Sequence, residues 1–591
     1  MSGRVGPGPM AATEWRMASR RWQGYALRSV TVMLLFGAMA PAWLEAPEGP
    51  GQEPTIRQQA RAGNAAYQRT AILLLGLVGL AAPAATAGAV CQDKASGNLA
   101  LLMATELRDA EIVLGKLAAR LVPVLGVILC AAPVLVMETL LGGVDPIGIV
   151  GGLLVVLACA VFGCSLALTL SVWGGKAHEV LMATYAFGIV YLLAAPIWWC
   201  VRATLPASWL GPWLPSFWEV MRYNPIFLVL ASVDGPSLPT APVTIGTQAA
   251  FFGLGLGASA LLIGLATWRI RPVAIRHLGR GDRAAGRRAW ASRRSWGSIP
   301  GASRLERLTR RAWPGPSLDR NPVLWRECRR RRPSRWDLAV RGIYALLCGG
   351  FSAYAIAEMA RGMPPVLRLG PVVNGLQVAA GLLLLCISAA TSLAEERFRG
   401  SLDVLMASPL PTRAIVWGKW WGAFRSVPPL LILPAAVGLA SSYGTGRSWA
   451  VVPLAALILA YGASITSLGL ALATWLPRVG QASALTVGVY VFLSIAWIAF
   501  ALSAFGEGPG DAGLGVAAGS PLVGVFFYSG LLDGKGLPYE FASQTIWTLF
   551  WAVAHGGIAL ALLLATLATF NRCLGRIDAP AILGEERGDG G

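Results

Sequence analysis

The chain has 591 residues, of which 55% are hydrophobic and only 13% charged, about half the charged share of an ordinary soluble domain. With a mean hydropathy of +0.59 this composition excludes a water-soluble globular protein, so the unit to count is the membrane span of about 20 mostly apolar residues. The formal charge of +19 comes from 49 Lys plus Arg against 30 Asp plus Glu, and the placement of the basic residues sets the topology.

Taken in chain order, the apolar runs predict an all-α polytopic membrane protein of about 12 transmembrane helices. Six lie in the first half, near 26–43, 70–90, 118–142, 147–173, 180–200 and 248–268, and six in the second, near 338–357, 375–394, 420–440, 449–475, 482–504 and 543–570. With the N-terminus inside, the inside segments hold 36 Lys plus Arg and the outside segments 9, so both termini are expected to be cytoplasmic. The start of the chain also has the look of a signal peptide, with basic residues, a short apolar stretch and Ala38-Met39-Ala40. Against this, Trp15-Arg16 with Arg20, Arg21 and Arg28 recurs as Trp325-Arg326 with Arg329 to Arg332 and Arg341, too deep in the chain to be a signal.

The chain also carries an internal duplication, which at its clearest has an offset of 303 residues. Residues 90–117 aligned without a gap on 393–420 share Gly97/Gly400, Leu99/Leu402, Leu102/Leu405, Met103/Met406, Ala104/Ala407, Leu107/Leu410, Ile112/Ile415, Val113/Val416, Gly115/Gly418 and Lys116/Lys419, where chance gives about two identities. Asp93/Glu396, Lys94/Arg397 and Thr105/Ser408 are conservative, and Trp173/Trp475 and Lys176/Arg478 echo at an offset of 302. The expected organisation is a six-span half over 1–268, an Arg-rich linker and lead-in segment over 269–335, a second six-span half over 336–570 and a tail over 571–591. Two halves running the same way form a parallel repeat, a known plan for a transporter with its pathway between them.

The linker holds 20 Arg against Asp282, Glu306, Asp319 and Glu327, a net +16, so nearly all the basicity of the chain sits there. Such a run can mark nucleic-acid binding. A clamp on anionic lipid headgroups, at about 1 kcal/mol for each basic residue near the surface, is the better reading, and no nucleic-acid partner is expected.

No G-x-x-x-x-G-K-[ST] phosphate loop occurs: the Gly-Lys pairs at 115, 175, 418 and 534 have the wrong neighbours. His178-Glu179 opens like a zinc-protease helix, but Met182 stands where the second ligand belongs. No catalytic residue and no metal site is therefore expected, and His178 reads as interfacial. The nine Cys include no C-x-x-C pair and supply no disulfide framework. Glu138 is the best candidate for an intramembrane acid, but it falls near the end of its span with no acidic counterpart in the second half, and reads as structural.

The stretch Glu396-Arg397-Phe398-Arg399-Gly400-Ser401-Leu402-Asp403-Val404-Leu405-Met406-Ala407-Ser408-Pro409-Leu410, followed by Ile415-Val416-Trp417-Gly418-Lys419, resembles the cytoplasmic signature of type 2 ATP-binding-cassette (ABC) permeases. Asn321-Pro322-Val323-Leu324-Trp325-Arg326-Glu327 resembles their lead-in segment. The resemblance implies that 93–107 and 396–410 abut ABC ATPase subunits, with Asp93, Lys94, Gly97, Leu99, Glu396, Arg397, Gly400, Leu402 and Asp403 as coupling residues. By its pattern, Gly400 breaks the helix, Leu402, Leu405 and Met406 form an apolar stripe for the interface or a partner, and the charges at 396, 397 and 399 stay exposed. The first copy departs from the motif at Asn98, Ala100 and Glu106, and the chain fuses two halves that many members of the family keep separate.

The resemblance implies an exporter permease of the cell membrane, working by alternating access. It would bind no cofactor itself, ATP being hydrolysed by partner subunits, and its cargo, a small molecule, lipid or polymer, is left open. The alternatives are an ion-coupled secondary carrier, which also uses parallel repeats, and an intramembrane enzyme. The charge census makes one direct prediction: a single cysteine placed at position 300 is not labelled by an impermeant thiol reagent in intact cells and is labelled after permeabilisation.

Overall fold

The computed structural model describes residues 22–40, 42, 55–204, 215–231, 243–291, 321–329, 335–364, 368–398, 401–443, 446–476, 479–505, 512–534 and 538–575. Within them the chain is helical, and ten helices are long and apolar enough to cross a membrane. The first half runs α1 (Trp22–Met39), α2 (Ile56–Thr86), α3 (Cys91–Ser96), α4 (Asn98–Met103), α5 (Asp109–Glu138), α6 (Pro146–Trp173), α7 (Ala177–Leu192), α8 (Ala194–Thr204), α9 (Phe217–Met221), α10 (Pro225–Leu230) and α11 (Ile245–Ala291). The second runs α12 (Pro322–Arg329), α13 (Arg335–Ala360), α14 (Gly370–Phe398), α15 (Ser401–Met406), α16 (Thr412–Phe424), α17 (Val427–Tyr443), α18 (Val451–Trp475), α19 (Val479–Val491), α20 (Trp497–Phe505), α21 (Ala512–Ala517), α22 (Pro521–Leu532) and α23 (Pro538–Leu574).

Each expected span finds its helix. The fifth is the pair α7 and α8, bent by 53°, and α1, which stands where the first span was expected, is a shorter apolar helix. Several helices outrun the apolar core because their ends are capped. Thr55 and Gln58 form a reciprocal capping box that starts α2 before its apolar run, and Asp145 accepts from the Ile147 N–H with Pro146 in the first turn of α6. Helix α11 continues to Ala291, past the limit of 268 expected for the first half. The lead-in at 15–21 and linker residues 292–320 lie outside the described residues.

The two halves repeat one packing plan. The fourth span lies between the second and the sixth: α6 against α2 and α11, α18 against α14 and α23. Between halves the contacts are reciprocal, with α7 on α13 and α14, and α19 on α2, as a two-fold relation between parallel repeats requires. In each half a fifth-span tyrosine donates to a second-span carbonyl, Tyr185 to Leu80 O and Tyr490 to Ala379 O, both at 2.6 Å.

The long connections between the fifth and sixth spans fold back as short helices on the side opposite the linker. Helix α10 rests on α2 and α6, and α22 on α14 and α18. In the sequence, 201–247 and 505–542 read as outer loops, and Trp209, Trp213 and Trp218 of the first, just after Trp198 and Trp199, are consistent with an aromatic belt or short interfacial helices; the structure has short helices in both, and Trp209 and Trp213 lie outside the described residues. The C-terminal end of α21 shows why the second connection is fixed. The end carbonyls of a helix lack i+4 donors; Val516 O and Ala517 O accept from the Gly519 and Ser520 N–H groups, and side chains meet several carbonyls at and just beyond the end. Trp551 donates to Gly515 O (2.8 Å), Trp497 to Val516 O (2.9 Å) and Tyr461 to Ala518 O (2.5 Å). His555 Nε2 lies 3.2 Å from Gly519 O, a carbonyl that a protonated ring nitrogen can meet, and its Nδ1 lies 3.2 Å from the Ser464 hydroxyl.

Tyr461→Phe removes one donor and leaves a buried carbonyl unpaired, at a cost of about 1 to 3 kcal/mol. The thermal midpoint in detergent, followed by tryptophan fluorescence, is expected to fall, whereas Tyr443→Phe, at an 89% exposed position, leaves it unchanged.

Candidate functional site: a charged latch in each half

On the linker side the second span of each half ends in an acidic-basic pair, and the two members reach in different directions, as successive helical residues do. In the first half, Asp93 forms an ion pair with Lys116 on α5. Lys94 Nζ donates to Val172 O and Gly174 O at the end of α6, each at 2.7 Å. The second half repeats this at the equivalent positions: Glu396 pairs with Lys419 on α16 at 2.6 Å, and Arg397 reaches Thr474 O at the end of α18, 3.5 Å away. The acid ties the second span to the third. The base ties it to the carbonyl end of the fourth, where unsatisfied C=O groups and the helix dipole favour a cation.

Between the latched residues the chain reverses through a glycine. Gly97 has φ +79°, a left-handed conformation that costs a residue with a Cβ, and it separates α3 from α4. Gly400, its counterpart, lies outside the described residues, as does Arg399.

The second latch has an added member. Asn321 caps α12 by accepting from the Val323 and Leu324 N–H groups, and its amide donates to Ala414 O at 3.0 Å. Helix α12 then lies on α16 at Gly418, where an added Cβ would stand 3.0 Å from Val323 Cβ. This close approach brings Glu327 Oε1 to 2.5 Å from Lys419 Nζ. Lys419, 2% exposed, thus sits between two carboxylates, and Arg326 lies 3.5 Å from the inner one, Glu396.

Two expectations change. Glu396 is buried and Arg397 half-buried, because each is spent on an internal latch, so the charges at these two positions are not an exposed display. The apolar stripe also turns inward: Leu402 is buried, with Leu405 and Met406 packed against the same cluster, and Leu99 is buried likewise in the first half. What α4 and α15 present outward is another set. Leu101 is 70% and Val404 75% exposed; they are equivalent in the repeat, and Asn98 and Asp403 are exposed beside them. Glu138, by contrast, is fully buried and accepts from the Thr70 hydroxyl at 2.6 Å, which joins the second and third spans of the first half.

Lys116 and Lys419 were visible as repeated residues but not as partners of the acids. The available signal was the spacing: acid and lysine stand the same distance apart in both copies, on either side of the glycine reversal.

With this geometry in place, the comparisons with known proteins fall on the same half of the chain. Residues 322–507, from the start of α12 to just past α20, match the family described as ABC-2 family transporter protein. The similarity covers most of the second half, and the helices long and apolar enough to cross a membrane lie in both halves. No curated protein matches the chain.

Removing one partner of a buried ion pair costs roughly 3 to 5 kcal/mol. Lys419→Met, which strands two carboxylates, is expected to lower the thermal midpoint and the folded yield sharply. Adding Glu327→Gln and Glu396→Gln to the same chain recovers much of the loss, because the stranded charges are gone. Size-exclusion profiles and thermal midpoints of the single and triple variants check both outcomes.

Proposed function

We propose that the chain is the membrane-spanning permease of an ABC exporter in the cell membrane, and that separate ATPase subunits drive it through alternating access. Its termini and the 269–335 linker then face the cytoplasm, and α4 and α15 are the coupling helices. The observation that carries this reading is the pair Leu101 and Val404. At equivalent positions of two repeats and on the linker side, each holds a large apolar side chain out of the protein. The latches make such a surface mechanically useful, because a push on α4 or α15 is passed through Asp93–Lys116 and Lys94 in one half, and Glu396–Lys419 and Arg397 in the other, to the second, third and fourth spans together. The halves then rock as units about the seams between them. The family of residues 322–507 supports the same reading, as does a chain without a phosphate loop. Export as the direction rests on the resemblance to type 2 permeases.

The purified chain is expected to hydrolyse no ATP until its cognate ATPase is added. Burying a valine or leucine side chain is worth about 1.5 to 3 kcal/mol, so Leu101→Asp and Val404→Asp should each weaken ATPase binding about tenfold to a hundredfold while the thermal midpoint holds. Vanadate-sensitive hydrolysis by the pure chain, or unchanged binding in both variants, would reject the assignment.

A further inference from the structure

One of the two seams between the halves holds a cavity of about 500 Å³. It is bounded by α7 and α8 of the first half and by α13 and α14 of the second, with Phe217 and Trp218 of α9 at one end. Its lining follows α7–α8 from Ala186 to Cys200 and, from Leu369 just before α14, runs along that helix to Leu384, a length of about 20 Å at the rise of an α-helix. The space is a slot along the helices.

Nothing charged lines it among the described residues, and the polar groups of Gln377 and Tyr344 are engaged with the protein. Gln377 donates to Asn374 Oδ1 (2.8 Å) and accepts from the Ser352 hydroxyl (3.1 Å), and the Tyr344 hydroxyl donates to Gln377 O (2.8 Å). A site for a polar solute offers a few converging donors and acceptors; this one has committed them to the protein. Around the slot, Trp199, Ile343, Val372 and Leu376 are 41 to 49% exposed, and on a surface within the bilayer that exposure faces lipid.

The opposite seam is filled. There a π-helical turn at Phe492–Ala496 separates α19 from α20, its extra residue bulging the helix, and Ile495 and Phe492 pack into the core of the first half. Ile495 lies so close to α2 that a Cβ on Gly76 would be 3.0 Å from its Cδ1. The first half has a bend in place of the bulge. Pro196 has no N–H for Leu192 O, four residues back; the Asn224 amide takes that carbonyl instead at 2.9 Å. The 53° bend lets α8 diverge, and the slot lies along it.

We infer that this seam, and not its counterpart, binds a single hydrocarbon chain of a lipid entering sideways from the bilayer. The inference deepens the permease reading by naming an apolar-chain ligand, and it rests on that reading only for the step of transport. The full chain is placed in nanodiscs doped with a fatty acid bearing a diazirine in its tail or, separately, with a phospholipid bearing the same group in one acyl chain, then irradiated and mapped by peptide mass spectrometry. Labelling per exposed area is expected to be several-fold higher on 186–200 and 369–384 than on the lipid-facing sides of α11 and α23. Whichever probe labels more identifies the source of the chain. Ala186→Phe and Ala380→Phe, which fill the slot, should each reduce the seam label at least threefold, and Leu560→Phe on α23 should not. Labelling in proportion to exposure, or a seam label unchanged in folded slot-filling variants, overturns the inference. Should those variants misfold, excess oleate on the wild-type chain decides: it must displace the seam label and spare α23, and failure to do so is equally fatal. The readout needs no ATPase, so a seam label without ATP-driven transport sinks only the permease reading, and transport without a seam label sinks only the slot.

Discussion

A lysine ammonium removed from water must be met by opposite charge, because an isolated ion in low dielectric is far too costly to keep. Lys419 is met twice, by Glu396 at the end of the second span and by Glu327 on the lead-in helix, and much of the linker-side architecture follows from that demand. The two acids come from segments on either side of the first two spans, so satisfying one cation brings α12, α14 and α16 together. Gly418 permits the approach, and Asn321 caps α12 and ties its start to Ala414 O. Lys116 and Asp93 bind the first half in the same sense. Ion pairs of this kind add little net stability over an apolar core of equal volume; their effect is to fix which elements meet.

The spans were legible because lipid imposes a strict rule on length and composition, and the duplication was legible because Gly, Lys and acidic residues recurred in register. Features that depend on pairing distant residues were not. Hydropathy shows that Glu396 is charged, but not that Lys419 lies opposite it, and an exposed acid was the natural expectation until the pair was seen. The helices α21 and α22 escaped for another reason: at 6 and 12 residues they are too short to register as spans, and the donors that hold α21 sit on Tyr461, Trp497, Trp551 and His555, spread over three other helices. Nothing in the sequence marks His555, whose Nε2 lies 3.2 Å from Gly519 O just beyond α21. In the candidate coupling segments the motif does not tell which face turns inward: Leu99 and Leu402 are buried, and Leu101 and Val404 are exposed. Position 101 against 404 is a Leu/Val pair of no distinction until exposure is known.

Fusion of the halves has a structural consequence. When two identical six-span chains pair about a two-fold axis, the seams between them are the same by symmetry, and a residue that opens one opens both. In a single chain each seam is written by different residues, and here they have diverged: Pro196 bends the fifth span of one half, and a π-helical turn thickens the fifth span of the other. Both changes act at about the same depth and both free a backbone carbonyl, Leu192 O taken by Asn224 and Ser494 O by the Ser520 hydroxyl, yet they have opposite effects on the space beside them. The bend draws atoms away from the neighbouring half, and the bulge pushes them toward it. The reciprocal packing of the spans survives in both seams, while the latches and the Tyr185 and Tyr490 bonds hold the spans together within each half. What the duplication has left free to vary is the filling between those fixed points, and that is where a chain of this design can hold one lipid-facing slot instead of two.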